Sequence, residues 1–232
     1  MRFVGILVLL SLVWLHSESS AQEYQPLTIG NQWTYQGSLG AQDGKRVSRT
    51  FRLWGTDVSV MHYENTTEND GLENYWTADV QGTVHLWGFY RSVEGLGFLY
   101  RPAIEVVQGP LYVGKEWTQH FESYSLPDTI PGGSFIVVYH VYEETDLTVP
   151  AGTFHVFGIG SSIRSPLPGG FPQATALTGE HRALQDGSPT DWWANHVGEV
   201  QYLGDQMFQL VTFEPPTPVR LITWGVIKAL YR

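Results

Sequence analysis

The chain contains no cysteine, which removes a disulfide framework, a thiolate metal site and a cysteine nucleophile together. Charge is scarce as well. Only 16% of the 232 residues are Asp, Glu, Lys or Arg, too few for a long solvated helix or a coiled coil. The 13 basic residues are outnumbered by 23 acidic ones, giving a net charge of −10, a balance that argues against a nucleic-acid partner. Beyond the first fifteen residues no stretch is long and apolar enough for a membrane helix. What the chain does have is aromatic bulk and turn formers: 9 Trp, 12 Tyr and 11 Phe beside 25 Gly and 13 Pro. That composition is too apolar for disorder and describes a globular, Gly-punctuated protein.

The opening MRFVGILVLLSLVWLHSESSAQE reads as an export signal. Arg2 supplies the positive start and Phe3 to Leu15 an apolar run of about a dozen residues, too short to span the ~30 Å core of a bilayer. Ser19 and Ala21 place small residues for cleavage after Ala21, so residues 1–21 are expected to be removed and the protein to be periplasmic or extracellular. With no cysteine after the site, a lipid anchor is not expected. Residues 22–213 then read as one antiparallel β domain, long enough for a sizeable core.

The rest carries no sustained 3.6-residue apolar period. Short alternating runs separated by Gly, Pro, Asn and Asp mark a mainly β chain. Strands are expected at Asn31–Ser38 and Lys45–Trp54 around an Asp43-Gly44 turn, then at Asp57–Glu64, Glu73–Asp79 and Thr83–Arg91. Later strands are expected at Trp117–Ser123, Ser134–Glu143, Thr153–Ile163, Thr175–Leu184, Asp191–Ala194, Glu199–Leu203 and Met207–Phe213. In Ser134–Glu143, Phe135, Val137, Tyr139 and Val141 share one face. The expected architecture is antiparallel sheet in an open or half-barrel, or a sandwich. After a Pro-rich spacer at Glu214–Pro218, the tail to Arg232 is expected to form a short helix capped by Thr223.

One device occurs twice. Pro26-Leu27-Thr28-Ile29-Gly30-Asn31-Gln32-Trp33-Thr34 and Pro110-Leu111-Tyr112-Val113-Gly114-Lys115-Glu116-Trp117-Thr118 both read P-L-x-[IV]-G-x-x-W-T. Proline presets an extended entry, glycine permits a tight bend, and tryptophan opens a strand with its ring inward. The chain also carries Gly30-Asn31 with Trp33-Thr34-Tyr35, Val149-Pro150-Ala151-Gly152-Thr153-Phe154, and Trp192-Trp193-Ala194-Asn195-His196-Val197-Gly198-Glu199-Val200. These resemble the PLxxGNxWxY, PAGxF and WxxxxVGxV motifs of uncharacterised exported bacterial proteins sometimes labelled TapB-like, over residues 22–213. Asn195-His196 stands where that pattern has Pro-Gly. The resemblance implies an exported antiparallel β-fold with a concave sheet, and it brings no catalytic residues or cofactor.

Searches for chemistry end mostly in exclusions. Gly44-Lys45 fails as a phosphate loop, since Leu39 and Arg46 stand where Gly and Ser or Thr are needed. Gly158-Ile159-Gly160 lacks the third glycine of a dinucleotide site. His62, His85, His120, His140, His155, His181 and His196 are never two or four apart, as zinc ligands often are. Glu180, His181 and Asp191 do not form an acid–base set on one strand face. The acidic runs at Glu64–Glu73 and at Glu143, Glu144 and Asp146 lack the spacing of a calcium loop. No catalytic, metal or cofactor site is therefore assigned. The positive hint is aromatic: Tyr75, Trp76, Trp87, Phe89 and Tyr90 fall on neighbouring strands as candidate ligand-binding residues, with Trp87 and Tyr90 expected on opposite faces. Expected partners are an apolar ligand, a glycan or an envelope protein. The leading expectation is a non-enzymatic binding or structural domain; the alternatives are a carrier of a lipid or other apolar ligand in a concave groove and, last, a metal- or carboxylate-dependent enzyme.

Overall fold

The computed structural model describes residues 22–64, 71–164 and 188–216. Twelve strands follow one another: β1 (Gln32–Gly37), β2 (Gln42–Leu53), β3 (Thr56–Glu64), β4 (Leu72–Ala78), β5 (Val84–Arg91) and β6 (Leu96–Val107), then β7 (Glu116–Leu126), β8 (Ile130–Val149), β9 (Gly152–Arg164), β10 (Asp191–Ala194), β11 (Gly198–Leu203) and β12 (Met207–Glu214). Each pairs antiparallel with its neighbour in sequence, and β1 also pairs with β12, Gln32 opposite Glu214 and Gly37 opposite Phe208. The sheet is therefore a closed up-and-down barrel. This corrects the expected open sheet, half-barrel or sandwich: the first and last strands satisfy each other's backbone groups, so no sheet edge remains. Among the described residues there is no helix; the tail from Thr217, where a helix was expected, and the expected strand Thr175–Leu184 lie outside them.

Strand periodicity fills the lumen. Along β7, Trp117, Phe121 and Ser123 are buried while Glu116, Thr118, His120 and Glu122 are exposed. An outward face of that kind is not the apolar band of a lipid-facing strand. On β8, Phe135, Val137, Tyr139 and Val141 all face inward, as their alternation predicts. Two expectations about local structure fail. Asp43-Gly44 is not a turn; the chain reverses at 38–41 with Gly40 at φ 91°, and Asp43 and Gly44 lie within β2 opposite Tyr35 and Thr34. Strand β6 was not expected, because Pro102 interrupts its pattern. Pro102 falls outside both ladders of that strand, between Arg101 opposite Glu122 and Ile104 opposite Leu86, so no ladder bond is lost.

The repeated motif marks a deeper repetition. Gly30 and Gly114 both adopt positive φ, 96° and 86°. Each donates its N–H to a buried valine carbonyl, Gly30 to Val47 (2.8 Å) and Gly114 to Val141 (2.9 Å). Those valines donate back to Asn31 and Lys115. A β-bulge follows each valine, between Val47 and Arg49 and between Val141 and Glu143. A second register shift falls between Tyr75 and Trp76 of β4, where Trp87 of β5 is the extra residue, and between Trp192 and Trp193 of β10, where Val200 of β11 is. Next come Gly82 and Gly198, both at positive φ, each two residues before a fully buried valine, Val84 or Val200. The barrel is thus two six-stranded halves built on one plan, β1–β6 and β7–β12.

Candidate functional site

Among the described residues the lumen holds a charged cluster, built where β1, β2, β3 and β11 meet, and a further inward carboxylate, Asp191, which lies opposite Ile159 and Tyr202 and accepts from Thr190 Oγ1 (2.6 Å). Lys45 is inward-facing and almost wholly buried, and its ammonium donates to Glu199 Oε2 at 2.7 Å. Three phenol rings enclose it, with centroids 4.1 Å away for Tyr202, 5.0 Å for Tyr35 and 5.1 Å for Tyr63. A cation against such faces is attracted by the ring quadrupole. Tyr202 donates its hydroxyl to the buried carboxylate of Asp43, and Tyr35 donates to the backbone carbonyl of Glu199 (2.9 Å). Burial raises the Tyr202 phenol far above its ordinary pKa, so it stays a donor. The adjoining cavity, lined by Gln25, Tyr35, Lys45, Met61, Tyr63, Trp76, Trp193 and Glu199, measures about 10 Å³, room for one water. The arrangement resembles an aromatic cage for an ammonium group, filled by the protein's own lysine. It has space for no substrate.

The equivalent positions in the other half carry no such charge. Counting from the paired valines, Lys45 corresponds to Tyr139 and Asp43 to Val137; counting from Val200 and Val84, Glu199 corresponds to Thr83. The cluster thus distinguishes one side of the lumen. Sequence reasoning missed it because Asp43 was assigned to a turn. The two-residue spacing of Asp43, Lys45 and Val47 was the available signal.

The five aromatic candidates divide between two places. Trp76 and Phe89 face the lumen, Trp76 buried and Phe89 packed on the edge of the main core. Tyr75, Trp87 and Tyr90 belong to a second cluster with Leu53, Val58, Val60 and Leu99. The register puts this cluster on the outer face: Val60 lies opposite Tyr75, Tyr75 opposite Gly88, and Gly88 opposite Leu99, whereas Met61 and Asn74 pair on the inner side. Trp87 and Tyr90 therefore share a face, contrary to expectation, because a bulge between Leu86 and Gly88 shifts the alternation. The tip of the β2–β3 hairpin covers the cluster. The Trp54 ring meets Trp87 at 6.5 Å and Tyr124 at 6.0 Å, with the Arg101 guanidinium 5.6 Å from its centroid. Trp87 Nε1 donates to Thr77 Oγ1 (3.0 Å). Burial pushes the Tyr75 phenol up to about 12.

Apart from buried Asp191, the remaining titratable candidates among the described residues are spread over the surface. His155 lies between Asp146 Oδ1 (3.0 Å) and Glu144 Oε1 (2.9 Å) on the exposed β8–β9 hairpin. His140 approaches Glu116 and His196 approaches Glu23, both at 3.6 Å. Glu73 takes both nitrogens of Arg49, and Glu143 accepts from Trp192 Nε1 (2.7 Å). Among the described residues no group of three or more His, Asp or Glu side chains is arranged to hold a metal ion. Glu180, His181 and residues 65–70 lie outside the described residues. No helix among the described residues is long and apolar enough to cross a membrane.

No family model matches the chain, so the TapB-like likeness remains a resemblance of motifs. No curated protein matches it either. Among solved structures, the chain is similar to an inferred exported protein with a YmcC-like fold from Bacteroides fragilis, at 11% identity and a TM-score of 0.45, covering 84% of this chain and 100% of that one. It is also similar to an inferred lipoprotein from Parabacteroides distasonis, at 14% identity and a TM-score of 0.38, covering 84% and 99% of the two chains.

Proposed function

We propose that the protein is an exported, non-enzymatic β-barrel that acts by binding, or as a structural part, in the cell envelope or outside it. The observation that carries this reading is the filled lumen. Among the described residues apolar and aromatic side chains occupy most of it, Lys45 is ion-paired with Glu199 inside it, and the adjoining cavity takes a single water. Among the described residues, packing of this kind leaves no interior groove for a whole lipid, in contrast to wider ligand-holding barrels. Its working surfaces are then the outer wall and the two ends. The signal-like start and the likeness to exported proteins of the TapB-like group support the address.

Native mass spectrometry of protein purified without detergent tests this. The expected result is the bare mass of the chain beginning near Gln22. A stoichiometric lipid carried through purification overturns the reading in favour of a carrier. A hydrolase or transferase activity abolished by one polar substitution overturns it in favour of an enzyme.

A further inference from the structure

One end of the barrel carries an apolar cleft at the margin of the main core, where Phe89 and Phe98 end the lumen packing and Leu126 borders the outer aromatic cluster. It lies among β5, β6 and β7, has a volume of about 130 Å³, and is walled by Phe89, Phe98, Leu96 and Leu126. Gly97 contributes to the lining through its backbone; it lies opposite Tyr90, and a side-chain carbon there would stand 2.3 Å from the Phe89 carbonyl oxygen, so the close approach of β5 and β6 requires glycine. Leu96 is 57% exposed, an unusual state for a leucine lining a concave surface rather than capping one. A cavity of about 150 Å³ lined by such side chains accommodates a benzene ring, so this one suits an apolar group of about that size.

The rim adds a specific polar hook. Arg91 Nη1 reaches Glu94 Oε1 at only 3.3 Å, and Glu94 sits half exposed on the turn before β6. An exposed pair of that geometry is weak. The other N–H donors of the Arg91 guanidinium have no hydrogen-bond partner among the described residues. A planar guanidinium with spare donors beside an apolar slot is suited to a carboxylate, which it can grip through two parallel bonds.

We propose that this cleft binds a short-chain carboxylate, its apolar tail of about five or six carbons lying between Phe89, Phe98, Leu96 and Leu126 and its carboxylate on Arg91. The proposal rests on the reading of the protein as a binding barrel and assigns that reading a site and a ligand class. Tail burial sets the affinity and Arg91 sets the preference for an anionic head.

Titration of the full mature chain with butanoate, pentanoate, hexanoate, octanoate and hexan-1-ol, followed by ¹H–¹⁵N NMR, tests it. Shifts are expected at 89–98 and 125–126, with affinity rising about fourfold per added methylene and levelling off once the slot is full. Hexan-1-ol is expected to bind at least tenfold more weakly than hexanoate. Arg91→Gln should abolish that preference while leaving the spectrum of the rest of the barrel unchanged. Leu96→Glu, at an exposed position that the fold tolerates, should weaken hexanoate at least tenfold. Absence of shifts at millimolar hexanoate overturns the proposal, as does binding that ignores both substitutions. Either failure leaves the binding-barrel reading standing on its own mass-spectrometric and activity tests.

Discussion

At the scale of single residues, the barrel keeps its unusual features where packing compensates them. Lys45 is the clearest case. A buried ion pair contributes little net stability, but removing one partner strands the other, at a cost of about 3–5 kcal/mol. Lys45→Met, which leaves Glu199 without the ammonium, is expected to fall in that range by urea denaturation, and adding Glu199→Gln to recover part of the loss. His196 is a second case. It takes φ 63°, a left-handed conformation, at the position where the resembling motif has glycine. Its N–H donates to the Glu23 carbonyl (2.7 Å), a bond glycine can also make. His196→Gly should therefore raise stability by about 0.5–1 kcal/mol, seen as a higher midpoint in the same titration. His155 supplies a pH dependence. Its hydrogen bonds to Asp146 first, and then Glu144, raise its pKa in the folded state. The stabilisation is therefore fully present below the unfolded value near 6.5 and lost as pH rises through the higher folded value. The side chain is exposed, so the effect is small and screened by salt. Thermal midpoints of wild type and His155→Gln should converge at pH 9 and separate at pH 5.5, in favour of wild type, at low ionic strength.

At the scale of elements, the β2–β3 hairpin shows how one residue can hold two opposing demands. Trp54 sits at φ 48° and Gly55 at φ 90°, a turn that favours Asn, Asp or Gly over a bulky side chain. Its ring nevertheless closes the outer cluster against Trp87 and Tyr124. Trp54→Ala keeps the backbone strain and loses the packing, whereas Trp54→Gly loses the packing but relieves the strain. The glycine variant should therefore be the less destabilised of the two by about 1 kcal/mol. Hydrogen exchange should quicken at 51–58 in both while β8 stays protected. Elements are also where the sequence was most and least readable. Val137, Tyr139 and Val141 announce β8 by strict alternation, and the two Gly-x-x-Trp motifs announce the entries to β1 and β7. Bulges defeat the same reasoning. One extra residue at Trp87 reverses the face of everything after it, and alternation alone carries no sign of where a bulge falls. Pro102 hid β6 for a related reason: it occupies a stretch the ladders skip, and only the register reveals the skip.

At the scale of the whole molecule, closure depends on the ladder between the first strand and the last. An antiparallel, all-β chain is legible from the spacing of its turns; that the last strand returns to the first is a matter of tilt and curvature, which alternation does not encode. The charged cluster shares that difficulty, since Lys45 and Glu199 lie far apart in sequence and meet only because the sheet closes. The seam should also govern behaviour. A chain ending at Gln206 loses β12 and leaves β1 and β11 with unpaired backbone edges. It is expected to elute as larger oligomers or to aggregate relative to the full chain, as size-exclusion chromatography would show.

The common plan of the two halves gives the barrel an internal control. The positions around the paired glycines, valines and tryptophans have counterparts in similar local backbone in the other half. Lys45 and Tyr139 are two answers to one structural question, as are Asp43 and Val137, or Glu199 and Thr83. Exchanging such counterparts separates what the shared scaffold requires from what is particular to each half. Positions identical in both halves, Gly30 with Gly114, Trp33 with Trp117, and Trp76 with Trp193, belong to the scaffold, and the divergent ones are where a specific role had freedom to arise.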